Sequence, residues 1–345
     1  MSCLPRSSKS ENPGKTVNNA IVETLGSTSH VVLATHVRPD GDALGSLLGL
    51  ADILRHSGKE VLCYLEESVP ELYAFLPGKD LIETDFEQVL SFARSNGDDI
   101  MGVCLDCGDL QRLGKNGPAL VKISPFAVID HHQNNGGFGD MAWVESYRSS
   151  TGEMIYDLAR ELGVALSREA AECLYTAIVT DTGSFQYDCT SAHTFAVAGK
   201  LVGCGVQPAQ IAQNIYDQAS FGRIQLLQKV LATLETFCDS QVAVIRVSQA
   251  MLQETGTTLD DCEGFINHPR SVTGVKVAVF LKETCVDDKQ ISVSLRAKGA
   301  CDVARVAACF HGGGHRNAAG FRMTGKSFDQ VRDRVLSALV DRISS

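Results

Sequence analysis

The stretch HVVLATHVRPDGDALGSLLGLADILRHSG, residues 30–58, decides the fold. It opens on a β-rich apolar run (30–35), crosses a polar loop, and continues with helical periodicity until Gly58. The opening run does not alternate apolar with polar positions, so both of its faces are expected to be covered. A strand feeding a helix in this way is the repeating half of a parallel sheet. Outward along the chain, EVLCYLE (60–66), IMGVCLD (100–106) and FAVID (126–130) repeat the pattern of short, unalternating runs. The expected fold class is α/β, with an N-terminal, mostly parallel, doubly wound sheet carrying helices on its faces.

From Ser150 the character changes. SSTGEMIYDLARELG carries the capping-box pattern Ser150-x-x-Glu153 and runs helical. Helices are expected over 168–180, 192–203 and 208–218, with a longer one near 222–237. β-Signals return in QVAVIRVS (241–248), GVKVAVFLKE (274–283) and QISVSLRAKG (290–299), before a terminal helix over 328–343. The expected organisation is a disordered tail (1–17), a first domain (18–190), a helical linker (191–238) and a smaller C-terminal α/β domain (239–345).

With 345 residues, 44% hydrophobic and 21% charged, the composition is globular and sufficient for two cores. A formal net charge of −10 argues against gripping long nucleic acid through its phosphates, which needs a basic surface. A small phosphorylated substrate at one local site remains compatible with it. The 12 cysteines sit mostly in apolar runs (Cys63, Cys104, Cys173, Cys285), which suits reduced thiols better than a disulfide framework. Cys104-x-x-Cys107 lacks the second pair that a structural zinc site needs. No apolar run approaches the about 18 residues that span a bilayer. The polar start MSCLPRSSKSENPGKT has no apolar signal-peptide core, so a cytoplasmic protein with no membrane partner is expected.

Acids and histidines recur where apolar runs end. THVRPDGDALGS places His36, Asp40 and Asp42 between a strand and a helix; Asp106 ends the run 100–105; Asp130, His131 and His132 end the run 126–129; Asp181 follows the helix 168–180. Each has an ordinary alternative. Asp40 and Asp42 could cap a helix, while Asp106 and Asp181 could serve turns. Jointly, however, the segments bring oxygen and imidazole donors to the carboxyl edge of one sheet, where ligands bind in such folds. Carboxylates crowded there repel one another, and divalent cations relieve the repulsion. Mixed Asp/His donors suit manganese or a similar ion better than calcium. Two ions about 3.5–4 Å apart activate water and stabilise a phosphoryl transition state. On this reading Asp106 bridges, His36 and Asp40 hold one ion, and Asp42, His131 and Asp181 hold the other. His132 is left to donate to a phosphoryl oxygen or the leaving group.

A second constellation is CFHGGGHRNAAG, residues 309–320. Gly312, Gly313 and Gly314 before His315 would let a phosphate approach backbone N–H groups, especially if a helix starts after them. Arg296, on the SVSLRAKG strand, adds a guanidinium suited to phosphate. Both Arg296 and His315 could equally be surface residues.

In this order, HVRPDGDALGS, LDCGD, IDHH and TDTGSF resemble the motifs of the DHH phosphoesterases. SLRAKG followed by GGGHRNAAG resembles their associated C-terminal domain. The short two-domain form is similar to bacterial members that hydrolyse nanoRNA and dephosphorylate adenosine 3′,5′-bisphosphate (pAp). The resemblance implies a manganese-dependent phosphoesterase working through a hydroxide held by two metal ions, in a cleft between a catalytic and a substrate-binding domain. It implies the ligand set His36, Asp40, Asp42, Asp106, His131 and Asp181, with His132 near the scissile phosphate and Asp130 orienting its neighbours. Arg296, Gly312–Gly314 and His315 would hold the nucleotide part of the substrate. Arg112 either assists near Asp106 or forms a structural salt bridge. Short RNA or DNA oligonucleotides and nucleotide bisphosphates are the implied substrates, and a homodimer is allowed. Cyclic or linear dinucleotides are the alternative substrates, and a purely nucleotide-binding protein is disfavoured by the complete ligand set.

Overall fold

The computed structural model describes residues 17–299 and 301–343. The tail expected over 1–17 lies outside them except for Val17. The chain divides into two compact units between Gln218 and Ala219.

The first unit begins with α1 (Asn19–Ser27), β1 (His30–Thr35), α2 (Gly41–His56), β2 (Glu60–Tyr64), β3 (Ile82–Glu83) and α3 (Phe86–Asn96). It continues with β4 (Ile100–Leu105), α4 (Gly117–Leu120), β5 (Phe126–Asp130) and β6 (Met141–Val144). Helices α5 (Thr151–Glu161), α6 (Arg168–Asp181), α7 (Ala192–Gly203) and α8 (Pro208–Tyr216) complete it. Every strand pairing is parallel, in the order β3-β2-β1-β4-β5-β6. The winding reverses between β1 and β4. At such a switch point the connections leave in opposite directions and open a crevice at the carboxyl ends of the strands.

Both faces of the sheet are dry, which explains the missing alternation. On one side Val31 and Leu33 of β1, Met101 and Val103 of β4, and Ile129 of β5 meet Leu44, Leu47, Ile155, Leu174 and Leu201 from the helices. On the other side Val32, Ala34, Cys104 and Val128 meet Val89 and Leu120. Helix α2 is buried on every side from Gly41 to Ala51, so it has no exposed stripe. Its backbone lies close to α6 because Gly45 has no side chain: a Cβ there would run into the Cys173 carbonyl and Ala177.

The second unit contains α9 (Phe221–Leu231), β7 (Glu235–Phe237), β8 (Val242–Val247), α10 (Gln249–Thr255), α11 (Asn267–Ser271) and β9 (Val277–Cys285). After these come β10 (Gln290–Ala297), α12 (Val303–Ala308), β11 (Gly313–His315), β12 (Ala318–Met323) and α13 (Phe328–Ile343). Its mixed sheet has the order β11-β12-β10-β9-β8-β7, with β8 and β9 parallel and the other pairs antiparallel. Val279, Val293 and Leu295 pack against Val303, Val306, Val331 and Val335 of α12 and α13. Over β8 and β9 the opposite face is covered by Leu226 and Val230 of α9 and Leu252 of α10. Strand β10 alternates, burying Ile291, Val293 and Leu295 while Ser292, Ser294 and Arg296 stay half-exposed on the other face.

Two features differ from expectation. The helix expected near 222–237 stops at Leu231, and Glu235–Phe237 pairs with β8 instead. Thr233 terminates it: its hydroxyl donates to the Val230 carbonyl (2.7 Å) and accepts the Arg246 N–H (2.9 Å), tying the chain to β8. The helical stretch 191–238 is also shared between the units. Helices α7 and α8 bury Val197, Leu201 and Ile211 in the first core, whereas α9 packs on the second sheet. No helix among the described residues is long and apolar enough to cross a membrane.

Close α2–α6 packing has a measurable consequence. Gly199→Ala, at an exposed α7 position with open space around it, is expected to stabilise by about 1 kcal/mol through helix propensity. Gly45→Ala carries the same propensity gain but should destabilise by about 1–3 kcal/mol, because a backbone carbonyl must move. Shifts of opposite sign in the urea midpoint would verify both.

Candidate metal centre

The exits of β1, β4 and β5 and the end of α6 meet at the carboxyl edge of the first sheet. Immediately after β1, His36 is buried; its Nδ1–H donates to the Val37 carbonyl (2.9 Å). That bond leaves Nε2 with a lone pair, 3.5 Å from Asp106 Oδ2 and 4.0 Å from Asp40 Oδ1. Asp40 caps α2, accepting the N–H groups of Asp42 (3.1 Å) and Ala43 (3.0 Å). The cap reading is thus correct for Asp40, and it leaves the carboxylate facing His36.

Asp42 caps a different helix. Its carboxylate accepts the N–H groups of Thr151 (2.7 Å) and Gly152 (2.9 Å) at the start of α5, and the Ser46 hydroxyl (3.0 Å). Asp106 follows β4 with φ 52°, a left-handed conformation that Asp tolerates better than most residues. Thr151 Oγ1 donates to its Oδ1 (3.2 Å). The same carboxylate lies 3.5 Å from His36 Nε2 through one oxygen and 3.5 Å from His131 Nε2 through the other.

His131 donates from Nδ1 to the Arg148 carbonyl (3.2 Å), so its Nε2 faces Asp42 (3.5 Å) and Asp181 (3.3 Å). His132 is held differently. Its Nδ1–H donates to Asp130 Oδ1 (2.7 Å), and the other Asp130 oxygen accepts from Asn135 Nδ2 (2.7 Å). The buried Asp130 therefore fixes the His132 ring. Arg112 contributes its backbone carbonyl, which accepts the Val37 N–H (2.7 Å).

The electrostatics are those of crowded, desolvated acids. Burial, followed by the charges of Asp42, Asp40, Asp181 and Asp130, holds the Asp106 carboxyl well above the usual range. Burial and then Asp42 push Asp181 up to about 7. Asp42 is also raised by burial, which outweighs the attraction of His131. Burial pulls His36 down. For His131 burial acts the same way but is overcome by Asp42, Asp181 and Asp130, which raise it. Asp130 stays low because the hydrogen bonds from His132 and Asn135 outweigh its burial.

These side chains fit divalent metal. His36 Nε2 is buried and has no hydrogen-bond partner, although carboxylate oxygens surround it. A lone pair facing carboxylates is unfavourable unless a cation lies between them. His36, Asp40 and Asp106 form one group, and Asp42, His131 and Asp181 another, with ligand atoms inside each within 4.8 Å of one another. Asp106, His131 and His132 meet the same spacing, but there the His132 Nδ1 is already committed to Asp130.

The second unit places the remaining residues. Arg296 and His315 both pair in register with Ala318, on opposite sides of β12. No helix follows the glycines; Gly313 and Gly314 lie in β11. The glycines are needed for close backbone contact: a Cβ at Gly312 would meet the Gly320 carbonyl, and one at Gly314, where φ is 138°, the Ala318 carbonyl. Sequence reasoning missed Thr151, Gly152 and the Arg148 carbonyl. The only signal was SSTGE, which reads as a helix start and nothing more.

Known proteins resemble this chain over most of its length. The model of the DHH family N-terminal domain matches residues 30–178, and that of the DHHA1 domain residues 239–344. The bifunctional oligoribonuclease and PAP phosphatase NrnA of Thermus thermophilus is 32% identical over 316 residues, covering 91% of this chain and 90% of that protein. Its namesake from Bacillus subtilis is 29% identical, with 92% and 96% covered. The crystal structure of an exopolyphosphatase-related protein from Bacteroides fragilis superposes with a TM-score of 0.87 at 28% identity, covering 94% of this chain and 96% of that one. Motifs, fold and relatives agree: the chain belongs to the DHH phosphoesterase family.

Proposed function

We propose that this enzyme hydrolyses short oligonucleotides to mononucleotides and removes the 3′-phosphate of pAp, using two divalent ions, with manganese the ion we assign. The observation that carries this reading is the partnerless, buried His36 Nε2 among the carboxylates of the switch-point crevice. Two curated relatives of nearly full coverage are named as oligoribonuclease and PAP phosphatase, which supports the substrate class.

His36, Asp40 and Asp106 would hold one ion and Asp42, His131 and Asp181 the other, with Asp106 common to both. When bound, the ions would activate water and neutralise charge on the phosphoryl group. The chain's own groups supply orientation. Thr151 holds Asp106 and the α5 N-terminus holds Asp42, so two acidic side chains are aimed before any ion arrives. The Asp130–His132 pair presents a positioned imidazole, which we assign to hydrogen bonding with a phosphoryl or leaving-group oxygen. In the second domain, Arg296 on the half-exposed face of β10, with Gly312–Gly314 and His315, is assigned to the nucleotide phosphate.

A side-by-side assay with Mn2+ on pAp, a short RNA and a linear dinucleotide tests the reading. Turnover of pAp and short RNA is expected. Turnover of the dinucleotide alone would replace it with a dinucleotide phosphodiesterase, and no turnover of any would remove it.

Asp106→Asn is the clean probe of the shared ligand, because Asn also accepts left-handed φ. Without metal this variant should melt no lower than wild type, since it replaces a carboxyl whose ionised form burial and the neighbouring acids disfavour. It should also lose hydrolysis and most of the Mn2+-induced rise in Tm. His132→Ala should behave oppositely, keeping the Mn2+-induced rise while kcat collapses. Thermal melts with and without Mn2+, run beside the assay, separate the two roles.

A further inference from the structure

We infer that Arg148, in the loop between β6 and α5, is a positioning residue that holds His131, Asp42 and Asp106 in place through the backbone it anchors. This rests on the metal-centre reading above. The guanidinium is largely buried and grips both ends of the segment 145–157. Nε bonds Glu145 (2.7 Å), and Nη1 reaches Glu153 (3.2 Å) and Asp157 (2.7 Å) of α5.

Between these anchor points lie the groups that touch the candidate ligands. The Arg148 carbonyl accepts from His131 Nδ1 (3.2 Å). The Thr151 and Gly152 N–H groups hold Asp42, and the Thr151 hydroxyl holds Asp106. On the near side, the Glu145 N–H donates to the Asp130 carbonyl (3.1 Å), tying the arc to the strand end that carries His131. On the far side, the second Glu153 oxygen accepts the hydroxyls of Ser149 (2.5 Å) and Thr194 (2.7 Å). Asp157 also meets His193 Nε2 (3.0 Å).

Burying Glu145 and Glu153, with a half-buried Asp157, around one guanidinium is a costly way to fill a corner, since removing charges from water is expensive and apolar side chains stabilise such places as well or better. What the ionic arrangement adds is direction. Arg presents its donors in a rigid planar fork, which serves diverging acceptors; a lysine ammonium is a single point charge. Bonds to the far ring nitrogen of a metal-binding histidine set its tautomer and orientation, and losing such partners typically costs about 10–100-fold in metal affinity.

The test uses the full chain, stripped of metal, with Arg148→Lys as the principal variant and Glu145→Ala as the milder one. Mn2+ alone is titrated calorimetrically into each, and the His131 tautomer is read in metal-free protein at alkaline pH by long-range 1H–15N NMR. Wild type should show the Nδ1–H tautomer. Arg148→Lys should fold, bind Mn2+ about 10–100-fold more weakly, and show mixed His131 tautomers, with Glu145→Ala shifted the same way by less. A lower Tm with unchanged Mn2+ affinity and unchanged tautomer would reduce Arg148 to a structural salt bridge and overturn the proposal. Should Arg148→Lys not fold, the same readings on Glu145→Ala decide. Should wild type bind no Mn2+, the metal-centre reading fails, and the tautomer still decides whether Arg148 positions His131.

Discussion

The constraint on which this structure turns is the repulsion among Asp42, Asp106 and Asp181 at the edge of a dry sheet. Burial raises all three carboxyls, and Asp40 adds to each, so the folded chain carries a group of acids it holds at a cost. Protein groups offset part of it. The first N–H groups of α5 meet Asp42, where the helix macrodipole favours an anion. Thr151 donates to Asp106, and His131 stands among all three acids. His36 Nε2 keeps its lone pair toward Asp106 and adds nothing to the compensation. The remaining imbalance is the chemical signature of a cation site.

Topology and small side chains create the crowding. The winding reversal between β1 and β4 opens the crevice, and the chain leaves those strands through His36 and Asp106. Bringing the helix-borne acids to the same place requires close helices. Gly41, between Asp40 and Asp42, lies against Thr180, the neighbour of Asp181. Gly152, on the turn that holds Asp42, lies against Ala177. A Cβ at either glycine would push apart the segments that carry the acids, so these positions link packing to chemistry.

That linkage explains what was legible in the sequence. Strand runs and the residues that end them are local, so β1, β4 and β5 and the residues His36, Asp106, Asp130, His131 and His132 could be read directly. Asp42 could be read as a candidate ligand, but its partners could not, because Thr151 and Gly152 are more than a hundred residues away and join it only after α5 packs on α2. The Arg148 carbonyl was invisible for a stronger reason: a backbone group has no sequence signature. The glycine run 312–314 misled in part, since its backbone freedom is used for strand packing against β12 and not to open a helix. Strand β7 was missed because Thr233 ends α9 through a hydrogen bond to β8, a contact no helical periodicity contains.

The neighbouring histidines show how the frame divides labour. His131 and His132 differ by one position, and their rings are 5.1 Å apart. Composition alone gives them equal claims on a metal, yet their Nδ1 partners differ. A backbone carbonyl accepts only from a proton-bearing nitrogen, so the Arg148 carbonyl engages Nδ1 of His131 and leaves Nε2 as the nitrogen that faces Asp42, Asp106 and Asp181. The buried Asp130 carboxylate instead occupies the His132 nitrogen nearest Asp106. For that nitrogen to bind an ion, the 2.7 Å bond to a desolvated carboxylate would have to break, leaving Asp130 with a buried charge short of a partner. The two rings thus differ in what holds Nδ1, a backbone carbonyl for His131 and a buried carboxylate for His132.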